Sequence, residues 1–351
     1  MNFVYLIGNG FDISLGFKTR FSDFFAYILK DKEKVVNNEI YTKIENDLKS
    51  EINNWADFET EIGIYTQSLS KKDSRKFLEN LHEVSEDLHE YLIQEQWEVD
   101  KIFEEDFSKN IKDTILNFYK GTDELSEDII KKQIESTTNT NSEVNFISFN
   151  YTNTLEKILS NVKEKNFSDN FNIFKSSRTQ ISNKILNIHG TLEKGIVLGV
   201  NDTEQFNCEI FNEDTYDEII KPKMINYRRS KDYDLAMDKI KYSDIIIIYG
   251  MSISKTDKIW WQKIAEVLIN NPHKILVIHV YEDVPTRYTT TYRIKKHREI
   301  LYNNFIESLE GKLTSIELTK ENINTLKEQI HFVINSEHMF NLEHKKTNIN
   351  F

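Results

Sequence analysis

Short apolar runs, none longer than a strand, most limit the folds open to this chain. Residues 3–7, 144–149, 245–249 and 275–280 are predominantly apolar. A strand buried on both faces reads this way, as in parallel sheets covered by helices on each side. The text between the runs is helical, above all from 21 to 135, where Leu, Ile, Phe and Trp recur among Lys and Glu. Strands separated by helices imply an α/β fold with a doubly wound parallel sheet. Further strands are expected at 171–174, 184–188, 195–200 and 313–318, and helices at 152–162, 232–242, 257–270, 296–309 and 322–334. The nucleotide-binding body then takes 1–20 and 141–335, and 21–140 form a mostly helical insertion or cap. Residues 336–351 are left as a polar tail, expected to fray.

Bulk composition removes several classes. No apolar run approaches the roughly 18 residues of a membrane span. The opening Met1-Asn2 runs straight into apolar residues without a basic region or a small-residue cleavage site. The one cysteine, Cys208, excludes an internal disulfide and a Cys-rich zinc knuckle. Both features point to the reducing cytoplasm, with no membrane association. A net charge of -12 opposes loose binding to polyanions, although a compact anionic ligand can still be held by backbone NH groups. Asn201 to Ile220 holds seven acids and no Lys or Arg, which reads as a solvated loop and helix face.

Seven of the ten glycines (Gly8, Gly10, Gly16, Gly190, Gly195, Gly199, Gly250) fall in or beside three segments, and all but Gly195 follow an expected strand. In an open α/β sheet the ligand lies outside the carboxyl ends of the strands. Glycine there permits positive φ or a close approach of backbone to phosphate. The clustering points to a nucleotide or phosphate site.

The side chains nearest these turns supply the chemistry. After the first strand, Gly8-Asn9-Gly10 lacks the third glycine of the dinucleotide fingerprint, and Asp12 either accepts from a ribose hydroxyl or caps a turn. Asn150, in Phe149-Asn150-Tyr151-Thr152, projects an amide that orients a ribose or a water, or else closes a turn. His189, at a strand end before Gly190, is the best-placed general base, whereas His279 inside a strand is structural. Gly250 and Ser252, with Thr256-Asp257 beyond, offer a second phosphate or ribose contact. Trp260 and Trp261 read as packing residues, and Asp57 and Glu59 as solvated acids beside Trp55 on an amphipathic helix, or else with Glu59 facing the cleft from the insertion.

These blocks resemble the AbiH family of bacterial phage abortive-infection proteins. The resemblance rests on Leu6-Ile7-Gly8-Asn9-Gly10-Phe11-Asp12 with Gly16, and on Asn53-Asn54-Trp55-Ala56-Asp57-Phe58-Glu59. It continues in Phe149-Asn150-Tyr151-Thr152, in His189-Gly190 with Gly199 and Asp202, and in Gly250 through Asp257. More distantly they are similar to the sirtuin-like or DHS-like NAD-binding fold, a Rossmann-like arrangement. That resemblance implies that Asn150 and His189 are a catalytic pair. It makes NAD the substrate, cleaved to nicotinamide and ADP-ribose, with no metal. Gly8, Asn9, Gly10, Phe11, Asp12, Thr152, Gly190, Gly250, Ser252 and Asp257 are the residues expected to hold the nucleotide.

This sequence departs from the sirtuin pattern in its Gly-Asn-Gly loop, in Thr152 where an acid often stands, and in having no zinc ribbon. The expected partners are a small nucleotide, a phage-derived trigger and a second copy of the chain. Two other readings stay open. One is a sensor that binds a nucleotide without cleaving it. The other is a metal-dependent nuclease using Asp12, Asp57, Glu59, Asp202 and Asp257.

Overall fold

Every residue of the first strand after Asn2 is fully buried, and alternate side chains enter different cores. In β1 (Asn2–Ile7), Val4 and Leu6 face one apolar cluster, and Phe3, Tyr5 and Ile7 face another. This two-sided burial is why the strand reads as a continuous apolar run. The computed structural model describes residues 1–51, 57–100, 107–136, 141–160, 162, 178–228, 231–282, 291–311, 313, 315–336 and 338–340.

The central sheet has six strands. They are β1, β2 (Asn141–Ser148), β3 (Arg178–Asn187), β6 (Ile245–Tyr249), β7 (Ile275–Val280) and β8 (Ile330–Ile334), in the order β3-β2-β1-β6-β7-β8. Every neighbouring pair is parallel. The short strands β4 (Gly190–Thr191) and β5 (Gly195–Ile196) form a separate antiparallel hairpin. The chain winds outward from β1 to β3, then returns to β6 beside β1 and winds outward the other way. The crevice of such a sheet lies at the carboxyl ends of the strands where the order reverses, here β1 and β6.

One face of the sheet is covered by the helices Lys231–Tyr242, Lys258–Ile269, Thr291–Ser308 and Lys320–Gln329, through Ile240, Trp260, Trp261, Phe305 and Leu326. Trp260 and Trp261 are buried there as packing residues, each worth roughly 1.5–3 kcal/mol or more as a large apolar side chain. The other face is covered by Ser108–Asn117, Glu124–Ser136 and Thr154–Ser160. The 21–140 span expected as one cap therefore divides. Its last two helices complete the sheet layer, and Phe21–Ile28 through Ser74–Asp100 form a third core of their own.

That third core also takes Phe206, Ile210, Phe211, Ile219 and Ile220. The acid-rich stretch is thus anchored by its apolar residues and is not a solvated loop alone. Gly63 allows the docking, because a Cβ there would stand 2.1 Å from the Gln205 carbonyl oxygen.

Other expectations need correction. The 313–318 stretch forms no strand among its described residues, and the sixth strand is Ile330–Ile334, read in the sequence as the end of a helix. Of 195–200 only Gly195–Ile196 pairs as a strand, and Val200 makes an isolated bridge to Ile220. The strand expected at 171–174 lies outside the described residues. Met339 and Phe340, in the stretch expected to fray, are buried, and Phe340 stacks edge-on to Phe11 at 4.8 Å. Among the described residues, no helix is long and apolar enough to cross a membrane.

Candidate functional site

The strand-end loops are brought to one level by ladder bonds that continue past the strands. Phe149 N donates to Ile7 O at 2.9 Å, Ile188 N to Ser148 O at 2.9 Å, and Gly8 N to Tyr249 O at 2.9 Å. Each loop therefore leaves the sheet at a fixed height, and the residues just beyond converge. They enclose a cavity of about 160 Å³, partly open to solvent. Its lining includes Gly8, Asn9, Asp12, Asn150, Thr152, His189, Gly250, Ser252 and Asp257. Phe21, Leu88 and Leu92 close it from the helical insertion, beside Thr19. Asn9 holds the chain just before the insertion, donating to Thr19 O at 2.7 Å and accepting from Thr19 Oγ1 at 2.6 Å.

Three of the residues expected to hold a nucleotide do not line this cavity. Phe11 is buried in the core, Gly10 packs beneath Gly250, and Gly190 turns the small hairpin at φ +83. Of the two uses expected of glycine, positive φ is present at Gly16, Gly190, Gly195 and Gly250, and the close approach at Gly10 and Gly250 is of one backbone to another. A Cβ at Gly10 would lie 2.6 Å from Gly250 Cα, and one at Gly250, where φ is +70, would lie 2.5 Å from Phe11 N. They let two loops touch each other. Gly10 N is spent on Gly250 O at 2.7 Å and Phe11 N on Gly8 O at 2.9 Å, so these NH groups are not offered to a phosphate.

The strongest polar arrangement links four side chains from distant parts of the sequence. His189 Nε2 lies 3.2 Å from Asp257 Oδ1. Lys221 Nζ lies 2.8 Å from that same oxygen and 2.7 Å from Glu59 Oε2, and Glu59 Oε1 accepts from Gly199 N at 3.3 Å. All four residues are buried or nearly so. Burial pushes the Asp257 carboxyl up, but Lys221 and His189 more than offset it and hold it well below the usual carboxylate range. Burial drives Glu59 the other way, above its ordinary value, against the pull of Lys221. Lys221 itself is raised: burial lowers it, and Asp257 and Glu59 outweigh that.

A second polar group lies on the β1 and β2 loops. Thr152 Oγ1 donates to Asp12 Oδ2 at 2.5 Å, and Thr154 Oγ1 to Thr152 Oγ1 at 3.2 Å. Asp12 Oδ1 and Asn150 Oδ1 are buried with no hydrogen-bond partner among the described residues. Burial pushes the Asp12 carboxyl up to about 6, against the lowering effect of Thr152, Thr154 and Asn150. The His189 ring is packed by Phe149 at 5.2 Å and Tyr151 at 6.4 Å. In the tautomer whose Nε2–H donates to Asp257, Nδ1 is the acceptor nitrogen of the ring.

Of the five acids considered for a metal, the structure does not gather the set. Asp57 caps the Phe58–Thr66 helix by accepting from Thr60 N at 3.3 Å. Asp202 is held 2.7 Å from Lys258 Nζ and caps a short turn. Trp55 and its neighbours 52–56 lie outside the described residues. Glu59, read in the sequence as a solvated acid, is buried and lines the cavity.

Lys221 escaped the sequence reading altogether as a functional candidate. The available signal was its place as the first Lys or Arg after Lys194, 26 residues with none between, next to Pro222 at a helix start.

No curated protein matches the chain. The profile of the bacteriophage abortive infection AbiH family matches residues 4–279, which take in all or most of every strand of the sheet but β8 and all the cavity-lining residues. The chain belongs to the bacteriophage abortive infection AbiH family.

Proposed function

We propose that this abortive-infection protein binds a small nucleotide at the switch point of a Rossmann-like, sirtuin-like body and hydrolyses the N-glycosidic bond of NAD or a close relative. The strand order, with its reversal beside β1, supports the Rossmann-like reading. The observation that carries the hydrolase reading is the contact of 3.2 Å between His189 Nε2 and Asp257 Oδ1, in a cavity that Asn150 also lines. A histidine oriented by an ionised carboxylate is the usual form of a positioned base. In the proposed reaction water adds to ribosyl C1′ while the C1′–N bond breaks, its electron pair leaving on the pyridine nitrogen. The proton of the water passes to His189 Nδ1, and Asn150 orients the water or the ribose. Neutral nicotinamide and ADP-ribose result.

The cavity of about 160 Å³ is close to the roughly 150 Å³ that admits one benzene ring. Whole small-molecule sites run to roughly 300–1,000 Å³. One ring of a dinucleotide therefore fits the enclosed part, and the remainder extends through the mouth. A sensor is the second reading, favoured by the fact that Phe21, Leu88 and Leu92 of the insertion share the cavity with the sheet loops. A ligand there touches both parts at once.

Incubation of the purified protein with NAD, followed by chromatography for nicotinamide, separates these readings. Release that is lost in Asn150→Ala and His189→Ala supports hydrolysis. NAD that binds and stays whole for hours supports the sensor.

A further inference from the structure

We propose that the enclosed end of the cavity selects its occupant by charge, taking an uncharged or cationic fragment that carries hydrogen-bond donors and leaving phosphate groups outside. This deepens the nucleotide reading above and rests on the same cavity. It does not require that NAD be cleaved.

The unpartnered groups in the wall are acceptors. Asp12 Oδ1 and Asn150 Oδ1 belong to residues only 1% and 5% exposed, and both residues line the cavity. A buried acceptor without a donor is costly, so an occupant whose donors reach these two oxygens is favoured over one that brings only acceptors. A vicinal ribose diol or a carboxamide NH2 has this chemistry. A phosphate at neutral pH is chiefly an acceptor and does not.

The charges point the same way. Asp12, Glu59 and Asp257 all line the cavity, and among the described residues no Lys or Arg lines it. Lys221, behind two of these acids, is already bonded to Glu59 and Asp257. Phosphate sites in α/β proteins use backbone NH groups at a glycine turn. Here Gly8 N, Gly10 N and Phe11 N are occupied by Tyr249 O, Gly250 O and Gly8 O. The ribosyl-pyridinium end of a nicotinamide nucleotide, cationic and rich in donors, suits this wall. Its pyrophosphate does not.

The test titrates the full chain with nicotinamide riboside, a cation without phosphate, alone and against inorganic phosphate. Nicotinamide riboside should bind, with less than a twofold change in affinity when phosphate is saturating. Its affinity should fall about tenfold or more in Asn150→Ala. Asp12→Asn preserves volume and guards against misfolding. At pH 8 it should weaken nicotinamide riboside about tenfold while changing neutral adenosine less. Competitive displacement by phosphate overturns the proposal, as does equal weakening of both nucleosides in Asp12→Asn. Nicotinamide riboside bound with NAD left intact upholds the charge selection and removes the hydrolase reading. NAD cleaved with no nicotinamide riboside bound does the reverse.

Discussion

Lys221 Nζ lies 2.7 Å from Glu59 Oε2 across a sequence separation of 162 residues, and it holds Asp257 at 2.8 Å from its other side. One ammonium thus pins the helical insertion to the loop that carries the partner of His189. Breaking a buried pair strands the remaining charges. Lys221→Met should lower unfolding free energy by about 3–5 kcal/mol, measured in urea. Glu59→Gln leaves the Asp257 contact intact and should cost about 1–3 kcal/mol. A loss below 1 kcal/mol for Lys221→Met would show that the ammonium does not hold these parts together.

Asp257→Asn tests the dyad directly. If NAD is the substrate, turnover should fall about 10²–10⁴-fold, with NAD affinity changed far less. Equal losses in turnover and affinity would mean that Asp257 binds ligand and does not orient His189.

Asp12 makes stability depend on pH in the opposite sense to an ordinary ion-paired carboxylate. Its folded value of about 6 lies above the ordinary 3.8, so between those values the folded chain holds a proton that the unfolded chain has released. Stability from this group is present below about pH 4 and is lost as pH rises through 6, by on the order of 3 kcal/mol. Asp12→Asn should therefore be more favourable, relative to the natural chain, at pH 7.5 than at pH 4.5. Urea midpoints that shift equally at both values would contradict it.

Two glycines separate backbone strain from crowding. Gly16 and Gly250 both have positive φ, but a Cβ at Gly16 meets nothing within 4 Å, and one at Gly250 meets Phe11 N at 2.5 Å. Gly16→Ala should cost about 1–2 kcal/mol. Gly250→Ala should cost that and the overlap besides, and should also disturb the cavity, as seen in ligand titration.

Phe340 packs on Phe11 at 4.8 Å and Tyr249 at 5.5 Å, and its backbone N donates to Thr114 Oγ1 at 2.8 Å. Phe340→Ala should cost about 3–5 kcal/mol in thermal or urea unfolding.

Much of the sheet was legible because five of its strands fall within or overlap apolar segments that can be read without partners. The sixth was hidden. Ile330–Ile334 follows directly on the Lys320–Gln329 helix with no glycine or proline between, so the apolar text reads as one longer helix. Leu313 to Leu318 has strand-like residues, but the edge position beside β7 is taken by β8.

In the site, Asn150, His189, Ser252 and Asp257 were legible because each follows a strand end. Lys221 was not, and Glu59 entered only as the lesser of two readings, since burial and pairing over 162 residues leave no local spacing. The positive φ expected of several glycines is present, but local sequence shows where a side chain is missing, not which neighbour fills the room.

The bracing of Phe11 by Phe340 also bears on the order of events during synthesis. The Gly10–Ser14 turn is made among the earliest residues, yet its support arrives only with the last described ones. A polypeptide cut short before Phe340 lacks the ring that braces Phe11 beneath the loop after β1.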